Sequence, residues 1–178
     1  MAHRCPPWFC FTFDNRFRRP IHDAARLFSP FVGEGSTVLD LGAGKGFFTI
    51  PLARLVGESG RVVAADVEPK MLQAIEKRGR KAGIAGRITT LLVRPEALAY
   101  PPADFVLLFW SLHEMVGEEA VLKEIRARLN PGGRVFVAEP KGHIGEAAFE
   151  EGVKRCEAAG FAVESRPRVS LSRAVVLR

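Results

Sequence analysis

Short apolar runs alternate with amphipathic stretches along most of this chain. Runs suited to buried strands lie at Val38–Leu41, Arg61–Ala65, Ile88–Val93, Phe105–Trp110 and Val135–Ala138, and two more at Phe161–Arg166 and Arg173–Leu177. Between them the apolar spacing becomes helical. Phe47–Val56 has the spacing of a helix packed on a sheet. Lys70–Ala82 sets Met71, Leu72 and Ile75 on one face and Glu76, Lys77 and Arg80 on the other, and Gly83 and Gly86 end it. Glu118–Leu129 turns Val121, Leu122, Ile125 and Leu129 inward, and Glu146–Ala159 reads as a further helix. Near the start, Ile21–Phe31 predicts a helix with Ala24, Leu27 and Phe28 on one face, stopped by Pro30. Strands and helices in this alternation predict an α/β fold with a doubly wound sheet. The last two strands stand close enough to form a hairpin.

The first strand runs into Gly42, Gly44 and Gly46, at every second position. Glycine there permits positive φ in a tight turn and lets a ligand approach the backbone with no Cβ in the way. Asp66 stands 20 residues beyond Gly46, at the carboxyl end of the second strand. A βαβ unit places a carboxylate there to accept both ribose hydroxyls of a nucleoside. Two ligands fit this outline. A dinucleotide site uses G-x-G-x-x-G, because the helix N-terminus must receive a pyrophosphate. Here the spacing is G-x-G-x-G, with Asp40 two residues before the first glycine. A carboxylate at that point suits an ammonium, directly or through water, and suits a pyrophosphate poorly.

D-x-G-x-G-x-G followed by an acidic second-strand end resembles the class I S-adenosylmethionine (SAM)-dependent methyltransferases. Leu129-Asn130-Pro131-Gly132-Gly133-Arg134-Val135, a turn between helix and fifth strand, is a further mark of that family. The resemblance covers roughly residues 36–178. It implies a Rossmann-like α/β/α sandwich whose sheet of seven strands has an antiparallel last strand inserted beside the fifth. It implies SAM as cofactor, with S-adenosyl-L-homocysteine (SAH) as product, held by Asp40, Gly42, Ala43, Gly44, Gly46, Asp66, Val67, Glu96 and Trp110. An acid commonly binds the adenine amino group just past the third strand. Here Arg94 takes that position, so Glu96 or a backbone carbonyl must serve. Residues 1–35 are expected to be an N-terminal helical cap segment, with Trp8 to Arg19 either closing over SAM or covering one face of the sheet. The partial alternation of Phe9, Phe11, Phe13 and Phe17 also allows a short edge strand there.

The fourth strand leads into Ser111-Leu112-His113-Glu114-Met115, the expected floor of a methyl-transfer site. This segment resembles that of methyltransferases acting on small molecules, including the quinone-biosynthesis type. It lacks the Asn/Asp-Pro-Pro-Tyr motif of many enzymes that methylate base amines. Transfer by direct in-line displacement is mainly alignment of nucleophile, methyl and sulfur. An acceptor that carries a proton also needs a base. His113 and Glu139 are the candidate catalytic residues, against the plainer reading of both as capping, packing or surface groups. Glu114 reads more readily as a first-turn helix residue.

The chain has 178 residues, enough for one substantial core, and its formal net charge is +6. The excess, partly from Arg4, Arg16, Arg18, Arg19 and Arg26, suits a solvated basic surface or an anionic acceptor such as RNA. The reading favoured is a small-molecule acceptor. An RNA or protein methyltransferase and a non-catalytic SAM-binding protein are the alternatives. The longest apolar run is far too short to span a bilayer, and no signal peptide is read at the N-terminus. A cytoplasmic protein with reduced Cys5, Cys10 and Cys156 follows as the expectation. No metal ligand set is read from these cysteines.

Overall fold

The computed structural model describes residues 21–94 and 99–178. Helix α1 (Ala24–Phe28) precedes β1 (Thr37–Leu41), α2 (Thr49–Leu55), β2 (Arg61–Asp66), α3 (Pro69–Lys81), β3 (Ile88–Leu92) and β4 (Ala103–Phe109). Then come α4 (Glu118–Arg128), β5 (Leu129–Pro140), α5 (Glu146–Ala158), β6 (Val163–Ser165) and β7 (Ser172–Leu177). The sheet has seven strands in the order β3-β2-β1-β4-β5-β7-β6. β1 pairs in parallel with both β2 and β4, whereas β7 runs antiparallel between β5 and β6. The expected Rossmann-like sheet with an antiparallel last strand is therefore observed. Strand order reverses between β1 and β4, which opens a crevice at their carboxyl ends.

The two-residue period of the strands divides the core into two layers. Leu39, Leu41, Val106, Leu108 and Val137 pack against Val121, Leu122 and Ile125 of α4 and Phe149 and Val153 of α5. Val38, Phe105, Leu107, Phe136 and Val176 face the other side, with Phe28 of α1 and Leu52 and Ala53 of α2. Phe28 is fully buried, its ring 5.3 Å from that of Phe48 and 5.2 Å from that of Phe136. Burying such a ring contributes about 1.5–3 kcal/mol, so α1 is anchored to the sheet despite its short length. Among the described residues no helix is long and apolar enough to cross a membrane.

Several boundaries differ from the expectation. α1 is shorter than the Ile21–Phe31 pattern, because Asp23 caps it: its Oδ1 accepts from the Ala25 amide at 3.0 Å. α2 starts at Thr49 instead of Phe47, since the glycine turn continues to Gly46 at φ +81°. β4 stops at Phe109, because Trp110 turns to φ +62°. β6 is confined to Val163–Ser165, with a register shift against β7 between those two residues. The Pro-Gly-Gly turn is not a linker ahead of β5. Leu129 already pairs with Ala103, and pairing resumes at Arg134 with Phe105, so residues 130–133 bulge out of the strand. Asp104 holds this bulge, accepting from Asn130 Nδ2 at 2.7 Å and from the Thr37 amide at 2.8 Å.

Candidate functional site

The glycine turn is built against the end of β2. The amides of Gly42 and Ala43 donate to the Ala65 carbonyl at 2.9 and 3.1 Å. Two of the glycines are required by packing. A Cβ on Gly42 would collide with the Ser111 side chain, and one on Gly46 would lie 2.9 Å from Cγ1 of Ile75. Gly44 is different: at φ +54°, among the described residues no atom beyond its chain neighbours lies within 4 Å of where its Cβ would stand. Its backbone is open to a ligand. Its N–H donates to Asp66 Oδ2 at 2.8 Å, and the Glu68 amide donates to Oδ1 at 2.9 Å. Burial raises the Asp66 carboxyl above its usual range, and the amides of Glu68, Gly44 and Val67 oppose that rise. Val67 stands beside it with 57% of its surface exposed.

Asp40 lies on the α2 side of β1, in phase with Val38. Its carboxylate is buried and accepts the hydroxyl proton of Thr49 at 2.6 Å. It therefore braces the first turn of α2 from beneath. Burial lifts its carboxyl to about 7; the Thr49 bond opposes this, and the nearby Asp66 adds to it.

A second group gathers where β4 and β5 end. Ser111 is buried and its hydroxyl donates to the Leu41 carbonyl at 2.8 Å, which joins the end of β4 to the end of β1. The Trp110 indole N–H donates to Ser172 Oγ of β7 at 2.9 Å. His22, which bonds the Ser170 carbonyl at 2.7 Å, meets the indole edge-on. His113 sits in a 3₁₀ turn (Leu112–Glu114), not at the start of a helix. Glu139 reaches it from β5, with Oε2 on Nδ1 at 2.5 Å and Oε1 on the His113 amide at 3.2 Å.

Burial alone would lower the His113 pKa. The hydrogen bond and charge of Glu139, with Glu114 adding its charge, outweigh it and hold the imidazole above 6.5. The carboxyl of Glu114 is itself raised, first by its own burial. The His143 ring lies 5.1 Å from that of His113. Glu139 is 5% exposed, with both oxygens on His113.

The fold thus brings Asp40, Gly42, Ala43, Gly44, Gly46, Asp66 and Val67 to one cluster, and His113 and Glu139 to a neighbouring one. Glu96, Cys5, Cys10 and the segment Trp8–Arg19 lie outside the described residues. Cys156 is buried in the α5 layer, and burial pushes its thiol up to about 12. Among the described residues no group of three or more His, Cys, Asp or Glu side chains is arranged to hold a metal ion. Sequence reasoning missed Thr49, Ser172, His22 and His143, and placed Ser111 in the floor of the site without its bond to Leu41. Only Thr49 had a local signal, a hydroxyl in the first helical turn after an acidic strand position.

The comparisons with known proteins agree with this geometry. The family model described as "Methyltransferase domain" matches residues 38–133. The chain belongs to the class I SAM-dependent methyltransferase family. It is 34% identical over 137 residues to the ubiquinone/menaquinone biosynthesis C-methyltransferase UbiE of Cronobacter sakazakii (strain ATCC BAA-894), covering 76% of this chain and 53% of that protein. It is 36% identical over 110 residues to UbiE of Escherichia coli (strain K12 / DH10B), covering 61% of this chain and 44% of that protein. The chain spans about half the length of the curated relatives it matches. A SAM-dependent methyltransferase from Aquifex aeolicus shares the fold, with a TM-score of 0.85 at 24% identity and 98% of each chain covered.

Proposed function

We propose that this protein is a SAM-dependent methyltransferase acting on a small-molecule acceptor. The open backbone at Gly44, beside the Asp66 carboxylate, carries the reading. These residues fit SAM: a carboxylate for the two ribose hydroxyls and an unobstructed turn, with Asp40 beneath it bracing the first turn of α2 through Thr49. Bound there, SAM supplies a methyl group already activated by its sulfonium. Glu139 accepts a hydrogen bond from the Nδ1–H of His113, which leaves Nε2 to take a proton from the acceptor. Two curated relatives named for quinone-biosynthesis C-methylation support an acceptor of small-molecule size.

Calorimetric titration with SAH and, separately, NADH tests the cofactor. Micromolar binding of SAH alone is expected, and binding of NADH instead would overturn the reading of the glycine turn. Removing the charged acceptor in Asp66→Ala should cost about 1.5–3 kcal/mol, or roughly ten- to a hundredfold in SAH affinity. Affinity within twofold of wild type would remove Asp66 from the cofactor site. Transfer of a labelled methyl group to candidate acceptors then identifies the substrate, and a steep loss of activity with salt would point to RNA instead.

A further inference from the structure

A groove of about 690 Å³ lies along the first half of β7. It exists because β6 pairs with β7 only at Leu177 and Val176. Beyond Ser165 the chain leaves the ladder and returns to bridge Ser172 at Val169, so residues 166–170 form the outer wall. Phe149, Val169 and Ala174 give the groove an apolar lining. At its rim, Leu171 is held at φ +59° with 61% of its surface exposed.

The rest of the lining is dominated by cations. Arg166 is paired with Glu150 through two bonds of 2.7 and 2.9 Å, and Arg173 is fixed on the Ile144 carbonyl at 3.0 Å. Lys141 and Arg168 also line it, and among the described residues neither has a carboxylate within ion-pair distance. Glu146 is the one lining carboxylate besides Glu150.

We propose that this groove anchors the methyl acceptor through an anionic group, a carboxylate or a phosphate, carried on an apolar body. The proposal rests on the methyltransferase reading above and names the substrate class. Position supports it. Ser172, which lines the groove, is the residue that accepts the Trp110 indole N–H. Lys141 stands two residues past Glu139, and Arg173 pairs with Glu139 across the β5–β7 ladder. The groove is also of the size that small-molecule sites take. An acceptor with its anion among Lys141, Arg168 and Arg173 has its body beside Ser172, the partner of the Trp110 indole, and beside Phe149, which also lines the smaller cavity at His113 and Glu139.

The test is an NMR titration of isotope-labelled protein, with and without saturating SAH. The probes are 2-naphthoate, 2-naphthyl phosphate and the uncharged 2-naphthalenemethanol. The two anions are expected to shift the Val169 and Ala174 methyl signals saturably, and the tighter one identifies the anion. The alcohol is expected to bind several-fold more weakly. The double variant Lys141→Gln/Arg168→Gln should raise the Kd of the tighter anion roughly two- to thirtyfold, as loss of two exposed charge contacts does. Its SAH affinity should be unchanged. Equal binding of the alcohol, or anion binding indifferent to the double variant, overturns the proposal. An RNA oligonucleotide that displaces the anion, with affinity collapsing as salt rises, overturns its small-molecule form. Failure of SAH to bind, with the anions still bound in the groove, would sink the methyltransferase reading and leave the anion site standing.

Discussion

Replacing Asp40 by asparagine should change how the stability of this protein depends on pH. In the unfolded chain an aspartate ionises near 3.8, and in the fold Asp40 ionises at about 7. Below 3.8 both states are protonated, and the residue adds no pH dependence. Between 3.8 and 7 the unfolded chain binds fewer protons than the folded one, so stability falls as pH rises. Above 7 both states are ionised, and the cost of burying the charge is fully present. At about 1.4 kcal/mol per pH unit, a rise of roughly three units corresponds to about 4 kcal/mol. Asparagine carries no charge at any of these values, and its carbonyl oxygen can still accept the Thr49 hydroxyl. Its buried amide adds an offset that does not vary with pH. Urea unfolding of both proteins at several pH values from 4 to 8 isolates the effect as a difference. The stability of Asp40→Asn relative to wild type should climb by about 4 kcal/mol across that range and level off above 7. A difference constant within 1 kcal/mol would show that Asp40 is not a buried, proton-accepting carboxyl, and would undo its assignment beneath the glycine turn.

Other outcomes follow from the same geometry. In Glu139→Gln the His113 pKa should fall, because the partner charge that outweighs burial is gone; NMR titration of the ring reads this directly. Since the folded His113 pKa is raised, its contribution to stability is present below 6.5 and lost as pH rises through the folded value. That loss should be absent in Glu139→Gln. If His113 is the base, the wild-type rate rises with pH through a value above 6.5, and the variant's through a lower one. An unshifted profile would exclude it. Gly42→Ala meets both a positive φ of +73° and the Ser111 side chain. It should lose about 2–4 kcal/mol in denaturant unfolding, of which Ser111→Gly recovers the packing part. Cys156 should resist iodoacetamide in the folded protein at pH 8 and react after unfolding, because its thiol is buried and ionises at about 12. Peptide mapping separates it from the other cysteines.

What the sequence determined by itself was the part set by short-range chemistry. Each strand from Val38 to Leu177 was legible as an apolar run, and the turn at Gly42–Gly46 from residues that only backbone strain or close approach can require. The pairing of that turn with Asp66 was legible because a βαβ unit fixes their separation. Tertiary structure decided what depends on contacts between distant segments. No local pattern could show that Trp110 breaks from β4 to reach Ser172, 62 residues away, or that Ser111 ties β4 to Leu41. The Pro-Gly-Gly segment read as a plain turn, and became a bulge because Leu129 finds a strand partner in Ala103. Glu139 read as a carboxylate facing an acceptor. Only the juxtaposition of β5 with the turn after β4 shows both its oxygens committed to His113. Propensity and spacing act over a few residues, whereas the state of a buried charge is set by whichever group the fold brings to within 3 Å of it.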